Sequence, residues 1–460
     1  MTLLLVCVIV LASNGTAAQA ATTTVACSLG GMITITDTVV TNGTLCQGTV
    51  TIPATVTAIG DYAFADASAL TAVSFDDRSQ LTSIGDYAFY GTIALAAITI
   101  PAGVTSIGER AFFNATNLAT VTFAADSQLT SIGDYAFYGT TALAAITIPA
   151  GVTSIGDYAF CSATNLATVT FAADSQLTSI GDYAFYGTTA LAAITIPAGV
   201  TSIGDYAFYN ATNLATVTFA AGSQLTSIGM GSFSDANALT TIIIPAGVTS
   251  IGERAFAYAS VLRSVYFLAD KPTLETDAFG GVSGATAYIR STATGYPAVG
   301  TLMDGLTIAN GVYTLTYNTN GGSAIAAGVV LYGLPIMTPP APTRSSYTFE
   351  GWSASNGGDT LTFPYLPDTA STTTLYAKWI LITPTRTATS TTTSTATRTR
   401  TRIASRTATR TATRTTARPR TLTATRTRTR TFTRTRTRTL TRTPIRTPIR
   451  TPTRTPTRIP

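Results

Sequence analysis

The sequence predicts a mainly β protein: a long solenoid of stacked coils, then a small β-rich domain, then a disordered tail. Three observations lead there. A short pattern, IG-x-x-AF, recurs at fixed spacing. A segment of alternating aromatic and polar residues comes after it, and from Thr383 onward the chain is nearly all Thr, Arg and Pro.

The pattern begins at Ile59, Ile84, Ile107, Ile132, Ile155, Ile180, Ile203, Ile228 and Ile251, loosening to IGMGSF at Ile228. Its steps alternate between 25 and 23 residues, so the larger unit is 48 residues with two subtypes. In the 23-residue coil that starts at Leu95, the apolar residues are Leu95, Ile98, Ile100, Val104, Ile107, Ala111 and Phe112. Leu95-x-x-Ile98-x-Ile100 has the period of a half-buried strand. Pro101 cannot donate a ladder hydrogen bond and ends it. Gly103 and Gly108 permit bends on either side of a second short extended piece, and Ala111 and Phe112 fold inward. The 25-residue subtype replaces the Pro-Ala-Gly bend by Ala124-Ala125-Asp126-Ser127-Gln128, an insertion that a turn tolerates. One coil cannot bury its own apolar edge, whereas stacked coils share a continuous core.

The motif L-x-x-I-x-IP-x-x-V-x-x-IG-x-x-AF, over residues 53–280, resembles the BspA-like, or treponemal, class of leucine-rich repeat. That family often carries Cys three residues after the Phe. Here Thr92, Ala115, Thr140, Ala163, Thr188 and Ala211 stand there, and Cys161, one residue after its Phe, matches no family position. Thr273 to Tyr296 looks like a degenerate last repeat and closing strand. Residues 313–379, with NGG, PTR, YTFEGW and a terminal LYAKW, resemble the Listeria-Bacteroides repeat, also called the internalin B-repeat. This implies a small β-grasp-like module. In it Tyr313, Leu315 and Tyr317 form a strand and Asn320-Gly321-Gly322 a hairpin-type turn. Trp352 and Trp379 are expected in its core.

The rest of the chain divides as well. Residues 1–20 read as a signal peptide, with the apolar run LLLVCVIVLA and Ala18-Gln19-Ala20 as cleavage site, though without a basic n-region. Residues 21–52 form an N-terminal cap, 281–312 a C-terminal cap, and 380–460 the tail. Outside the cell, Cys27 and Cys46 pair as a disulfide; the alternative is two unpaired small hydrophobes. Twenty arginines lie in Arg386–Arg458 with no acid among them, and subtracting 20 from the net charge of +6 leaves −14 for the rest. An acidic body thus carries a basic tail. The tail is a solvated spacer, an O-glycosylated stalk or an electrostatic tether to anionic wall polymer, glycan or lipid. A secretory route argues against nucleic acid as partner. No later run of about 20 apolar residues suggests a membrane span, and there is no LPxTG-like sorting signal.

The chain has no histidine, and repetition offers the same group many times rather than one asymmetric constellation, so no enzyme, cofactor or metal site is expected. Asp61, Asp86, Asp134, Asp157, Asp182 and Asp205, joined by Glu109 and Glu253, read as solvated turn acids rather than a calcium loop. Tyr90, Tyr138, Tyr186, Tyr209 and Tyr258 suggest an aromatic column just after the Phe. The outward strand face repeats Ala and Thr, with Thr99, Thr122, Thr147, Thr170, Thr195 and Thr218 as candidate binding residues. Only the last coils vary, through Ile243, Arg263 and Tyr266. Asn42, Asn114 and Asn210 head N-glycosylation sequons. The expected function is that of a secreted or cell-surface, non-enzymatic, adhesin-like protein binding extracellular-matrix or cell-surface protein or glycan. Alternatives are a structural spacer whose C-terminal module or tail engages the wall and, remotely, an ice-binding surface.

Overall fold

The structure, a computed structural model, describes residues 20–367 and 373–382. The signal segment and the Thr/Arg/Pro tail lie outside the described residues. Those described form strands and turns with no helix.

Each coil contributes three walls. The first is a parallel sheet of four-residue strands such as Ala97–Ile100, Thr120–Phe123, Ala145–Ile148 and Thr168–Phe171. The second is built from two-residue strands, Ser106–Ile107, Ser131–Ile132 and their equivalents, paired in register from coil to coil. The third has no strands, yet it is laddered too. The Tyr62 and Phe64 N–H groups donate to the Asp86 and Ala88 carbonyls of the next coil at 2.9 and 2.8 Å, and later coils repeat this. Backbone hydrogen bonds thus link the coils on all three sides.

The core inside these walls is a single file of phenylalanines. Phe64, Phe89, Phe112, Phe137, Phe160, Phe185, Phe208, Phe233, Phe256 and Phe279 are fully buried and stack in sequence, with centroids 5.0–5.2 Å apart and planes within 9°. Leu, Ile and Val from the two sheets surround this file. Where the family places Cys, Thr92, Thr140 and Thr188 are buried with their hydroxyls donated to the Phe89, Phe137 and Phe185 carbonyls at 2.8 Å. A buried hydroxyl needs such a partner.

At the N-terminal end, Thr22–Ala26 and Met32–Thr36 form an antiparallel hairpin that extends the second wall, and Cys27 and Cys46 are joined by a disulfide. At the other end a separate sheet takes over the first wall, with Thr241–Ile244, Ser264–Phe267, Thr286–Ile289 and Leu306–Asn310 paired in parallel.

The small domain continues from there without a break. Its sheet has the order Gly328–Leu331, Val312–Asn318, Thr373–Leu381, Tyr347–Ser353, with a parallel central pair. Trp352 is 2% exposed and its Nε1–H donates to the Pro340 carbonyl; Tyr317 and Phe349 pack on its ring. Trp379 donates to Thr319. The turn at Asn320-Gly321-Gly322 is present, but it does not close a tight hairpin, because the partner strand starts only at Gly328. A Cβ on Gly322 would stand 2.4 Å from the Trp379 ring, so this turn serves the tryptophan's packing rather than strand reversal.

Because the phenylalanine file is shared by all coils, Phe160→Ala should cost about 3–5 kcal/mol in equilibrium denaturation, and Phe160→Leu markedly less.

Candidate functional site: the outward strand face

On the first wall, inward Ile and Val alternate with outward Ala and Thr. Thr99 lies opposite Thr122, Thr147 opposite Thr170, and Thr195 opposite Thr218, all exposed. None of these six hydroxyls has a hydrogen-bond partner among the described residues. Thr82, Thr105, Thr130, Thr153, Thr178, Thr201, Thr226 and Thr249, on the second wall, differ: each hydroxyl donates to the carbonyl of the equivalent Thr one coil before, at 2.9–3.2 Å. Two threonine columns thus have opposite roles, one sealing the stack and one facing solvent.

The outward face is not continuous. Where a 25-residue coil stacks on a 23-residue one, the ladder closes with an extra hydrogen bond: Ala124 N–H to the Ile100 carbonyl, Ala172 to Ile148, Ala220 to Ile196, each at 3.0 Å. At the alternate interfaces the equivalent residues are Pro101, Pro149 and Pro197, which have no N–H to give. Pairing there shrinks from four residues to one, as between Thr120 and Ala145, or Thr168 and Ala193. Three of the loosened interfaces open into grooves. The groove between Thr120–Phe123 and Ala145–Ile148 has a volume of about 460 Å³ and is lined by Phe123, Thr122, Ser127, Thr147, Pro149 and neighbouring alanines. Its equivalents one unit away, at Phe171/Pro197 and Phe75/Pro101, measure about 440 and 620 Å³. Sequence reasoning misses these grooves, although the alternation of Ala with Pro after the strand encodes them.

The edge of the solenoid carries two aromatic columns. One contains Tyr90, Phe113 and Tyr138, then Cys161, then Tyr186 and Tyr209, stacked at 4.6–5.3 Å wherever two rings adjoin. Tyr258 does not belong to it: it stands two residues after Phe256, in a left-handed conformation at the turn, half exposed. The second column is one that sequence reasoning does not find. Tyr62, Tyr87, Tyr135, Tyr158, Tyr183 and Tyr206 adopt φ of 55–57°, and Arg110 replaces tyrosine between Tyr87 and Tyr135, its guanidinium 5.3 and 4.4 Å from their ring centres. Adjacent rings stack at 4.5–4.9 Å, so these residues are committed to one another. Cys161 is buried, which pushes its thiol pKa up and leaves it a small hydrophobe in the first column.

The acids turn out to be more than solvated turn residues. Asp61 Oδ1 accepts the Asp86 N–H, Asp86 that of Glu109, Asp134 that of Asp157, Asp157 that of Asp182, Asp182 that of Asp205 and Asp205 that of Met230, at 2.7–2.8 Å. Glu109 instead pairs with Arg110. Burial, with the charges of Asp182 and Asp134, raises the Asp157 carboxyl above the ordinary range despite its amide hydrogen bond. Among the described residues no cluster of His, Cys, Asp or Glu could hold a metal ion.

The variable residues at the end of the face have a structural explanation. Tyr266 is 2% exposed; its hydroxyl donates to the Tyr332 carbonyl of the small domain, and its ring stacks on Tyr288, which touches Tyr332. Burial pushes its hydroxyl up to about 12. Ile243 lines the crevice beside Leu315 and Val329 of that domain, and Arg263 donates to the Ser260 and Leu262 carbonyls. Tyr266 is therefore a docking residue for the second module, not a free anchor for a ligand.

Parallel coils with one wall of short strands and one of turns define a leucine-rich-repeat solenoid. Residues 35–167 and 153–286 match the BspA type leucine rich repeat region, in six copies, and residues 313–378 match the Listeria-Bacteroides repeat domain. The first match spans more than half of the 460 residues, and the chain belongs to the BspA type leucine-rich repeat family. Among solved structures it is similar to the pneumococcal vaccine antigen PcpA (24% identity, 57% of this chain and 65% of that one, TM-score 0.39). It is also similar to a leucine-rich repeat protein of T. pallidum (24%, 49% and 91%, 0.35) and one of Bacteroides ovatus (22%, 58% and 85%, 0.34). The match thus spans just under two thirds of the pneumococcal antigen. No curated protein matches the chain. No described helix is long and apolar enough to cross a membrane.

Three variants test the structural roles. Asp157 has a folded pKa above its unfolded one, so the stability it lends is present at low pH and lost as pH climbs through the carboxylate range. Asp157→Asn, which keeps the acceptor for Asp182, should melt above wild type at neutral pH and match it in acid; Asp157→Ala should melt lower at both. Tyr266→Phe should cost about 1 kcal/mol of docking, read as faster amide exchange at Tyr332 with exchange in the phenylalanine file unchanged.

Proposed function

We propose that the chain is a secreted or cell-surface, non-enzymatic, adhesin-like protein that binds extracellular protein or glycan through the outward strand face of its solenoid. The observation that carries this reading is the free threonine face: its hydroxyls are left unsatisfied coil after coil, while the threonines of the second wall and the turn carboxylates are used to hold the stack. A surface of one weak chemistry repeated in register suits polyvalent contact. The Cys27–Cys46 disulfide supports an oxidising compartment. Retention at a surface by the basic tail, on anionic wall polymer, belongs to the same proposal.

A second reading, a spacer whose terminal module engages the wall, draws on the docking of that module through Tyr266 and Arg290, which makes it continue the solenoid rather than swing from it.

Deleting residues 133–180 joins Ile132 to Gly181 and removes one 48-residue unit in register; deleting 85–180 removes two. Binding of these chains to extracellular-matrix proteins and glycans at physiological salt should weaken stepwise, by roughly tenfold per unit lost. Binding that survives both deletions undiminished would shift the activity to the terminal module, and abolition by one deletion would rule out polyvalency.

A further inference from the structure

The geometry points to the grooves of the strand face as subsites for an uncharged β-1,4-linked polysaccharide lying along the solenoid axis, one disaccharide per groove. This rests on the adhesive reading of that face and names its ligand class.

The chemistry of each groove comes first. Phe123 is half-buried, with part of its ring open to the groove, beside Pro149; Thr122 and Thr147 stand on either rim with free hydroxyls. A pyranose ring has the complementary character, with a C–H face that packs on an aromatic ring and equatorial hydroxyls that reach hydroxyl partners. Sites of this kind are mostly apolar with a few convergent polar groups.

Charge narrows the class. The groove at Phe123 carries Asp126 and no base, that at Phe171 carries Asp174, and that at Phe75 carries Asp76 and Asp77. An anionic polymer would meet carboxylates at each step with no cation to offset them, so a neutral chain fits best.

Spacing selects the linkage. The grooves recur every second coil, and with core rings 5.2 Å apart per coil that is about 10 Å. In an extended β-1,4-linked chain alternate sugars face opposite ways, so the same ring edge returns once per disaccharide, at nearly this advance. An α-1,4-linked chain coils and falls out of step. Three grooves in a row call for a hexasaccharide.

The test is calorimetric titration of the full chain with β-1,4-linked glucose and N-acetylglucosamine oligomers, from disaccharide to octasaccharide, with α-1,4-linked glucose oligomers as control. Uncharged probes keep the basic tail out of the measurement. Affinity should rise by roughly tenfold per added disaccharide and level off at the hexasaccharide. The double variant Thr122→Leu/Thr147→Leu changes exposed positions, should melt like wild type, and should reduce hexasaccharide affinity to that of a tetrasaccharide, because the grooves at Phe75 and Phe171 remain. Affinity that ignores length or linkage, or a double variant that binds the hexasaccharide as tightly as wild type, would overturn the assignment. Capture of extracellular protein without any oligosaccharide binding would overturn the groove proposal and leave the adhesive reading; failure of both would remove both.

Discussion

Every coil must meet its neighbours at the same separation on all three walls at once. The phenylalanine file sets that separation at 5.0–5.2 Å, close to the spacing of paired strands, so ring stacking and backbone hydrogen bonding reinforce rather than oppose each other. The turn wall adapts to this. Holding Tyr62, Tyr87, Tyr135, Tyr158, Tyr183 and Tyr206 at positive φ costs roughly 1–2 kcal/mol each for L-residues. Stacking with neighbours in the same strained pose returns about 0.5–1.5 kcal/mol per pair. Stacking in the column therefore offsets part of a strain that a single tyrosine of this kind would leave uncompensated. Arg110 takes the tyrosine's place in the column, its guanidinium between the Tyr87 and Tyr135 rings and donating to the Tyr87 hydroxyl.

The 48-residue unit is a consequence of the residue that stands just after each strand. An alanine there lets the ladder close and a proline does not, so sealed and open interfaces alternate. A chain of identical 23-residue coils, each with its proline, would open at every interface; one of 25-residue coils alone would open at none. The mixture gives a face that is stable in pairs and indented between them. The stack survives the open interfaces because the other two walls stay fully paired across them, as at Ile132 and Ile155.

Much of this is legible in the sequence. Apolar spacing locates the strands, the buried Ala-Phe pairs and the end of each strand at proline, because those depend on residues within one coil. The features that depend on stacking are hidden there. The acids look like solvated turn residues because their partner, an amide one coil away, lies 23 or 25 residues distant in sequence. Tyr258 falls outside the first column because it stands two residues after Phe256 rather than one, an offset the sequence itself carries and the left-handed turn confirms. Tyr266 resembles a ligand anchor because variation in a repeat reads the same whether the partner is another molecule or the chain's own next domain.

That last ambiguity bears on how function is sought in such proteins. In a repeat array every position recurs, so recurrence cannot separate structure from binding. The distinguishing property is whether a group's bonding capacity is used within the stack. The turn carboxylates accept amides, the second-wall threonines donate to carbonyls, and the tyrosines face one another. The first-wall threonines have the same composition and exposure as those of the second wall but no partner among the described residues, and the proline grooves lie between them. Stacking coils through threonine hydroxyls requires one such column, and the second wall already supplies it. A further column whose hydroxyls make no hydrogen bond among the described residues, set beside half-buried phenylalanines, is not needed to seal the stack, and the proposed adhesive role of the face rests on that difference.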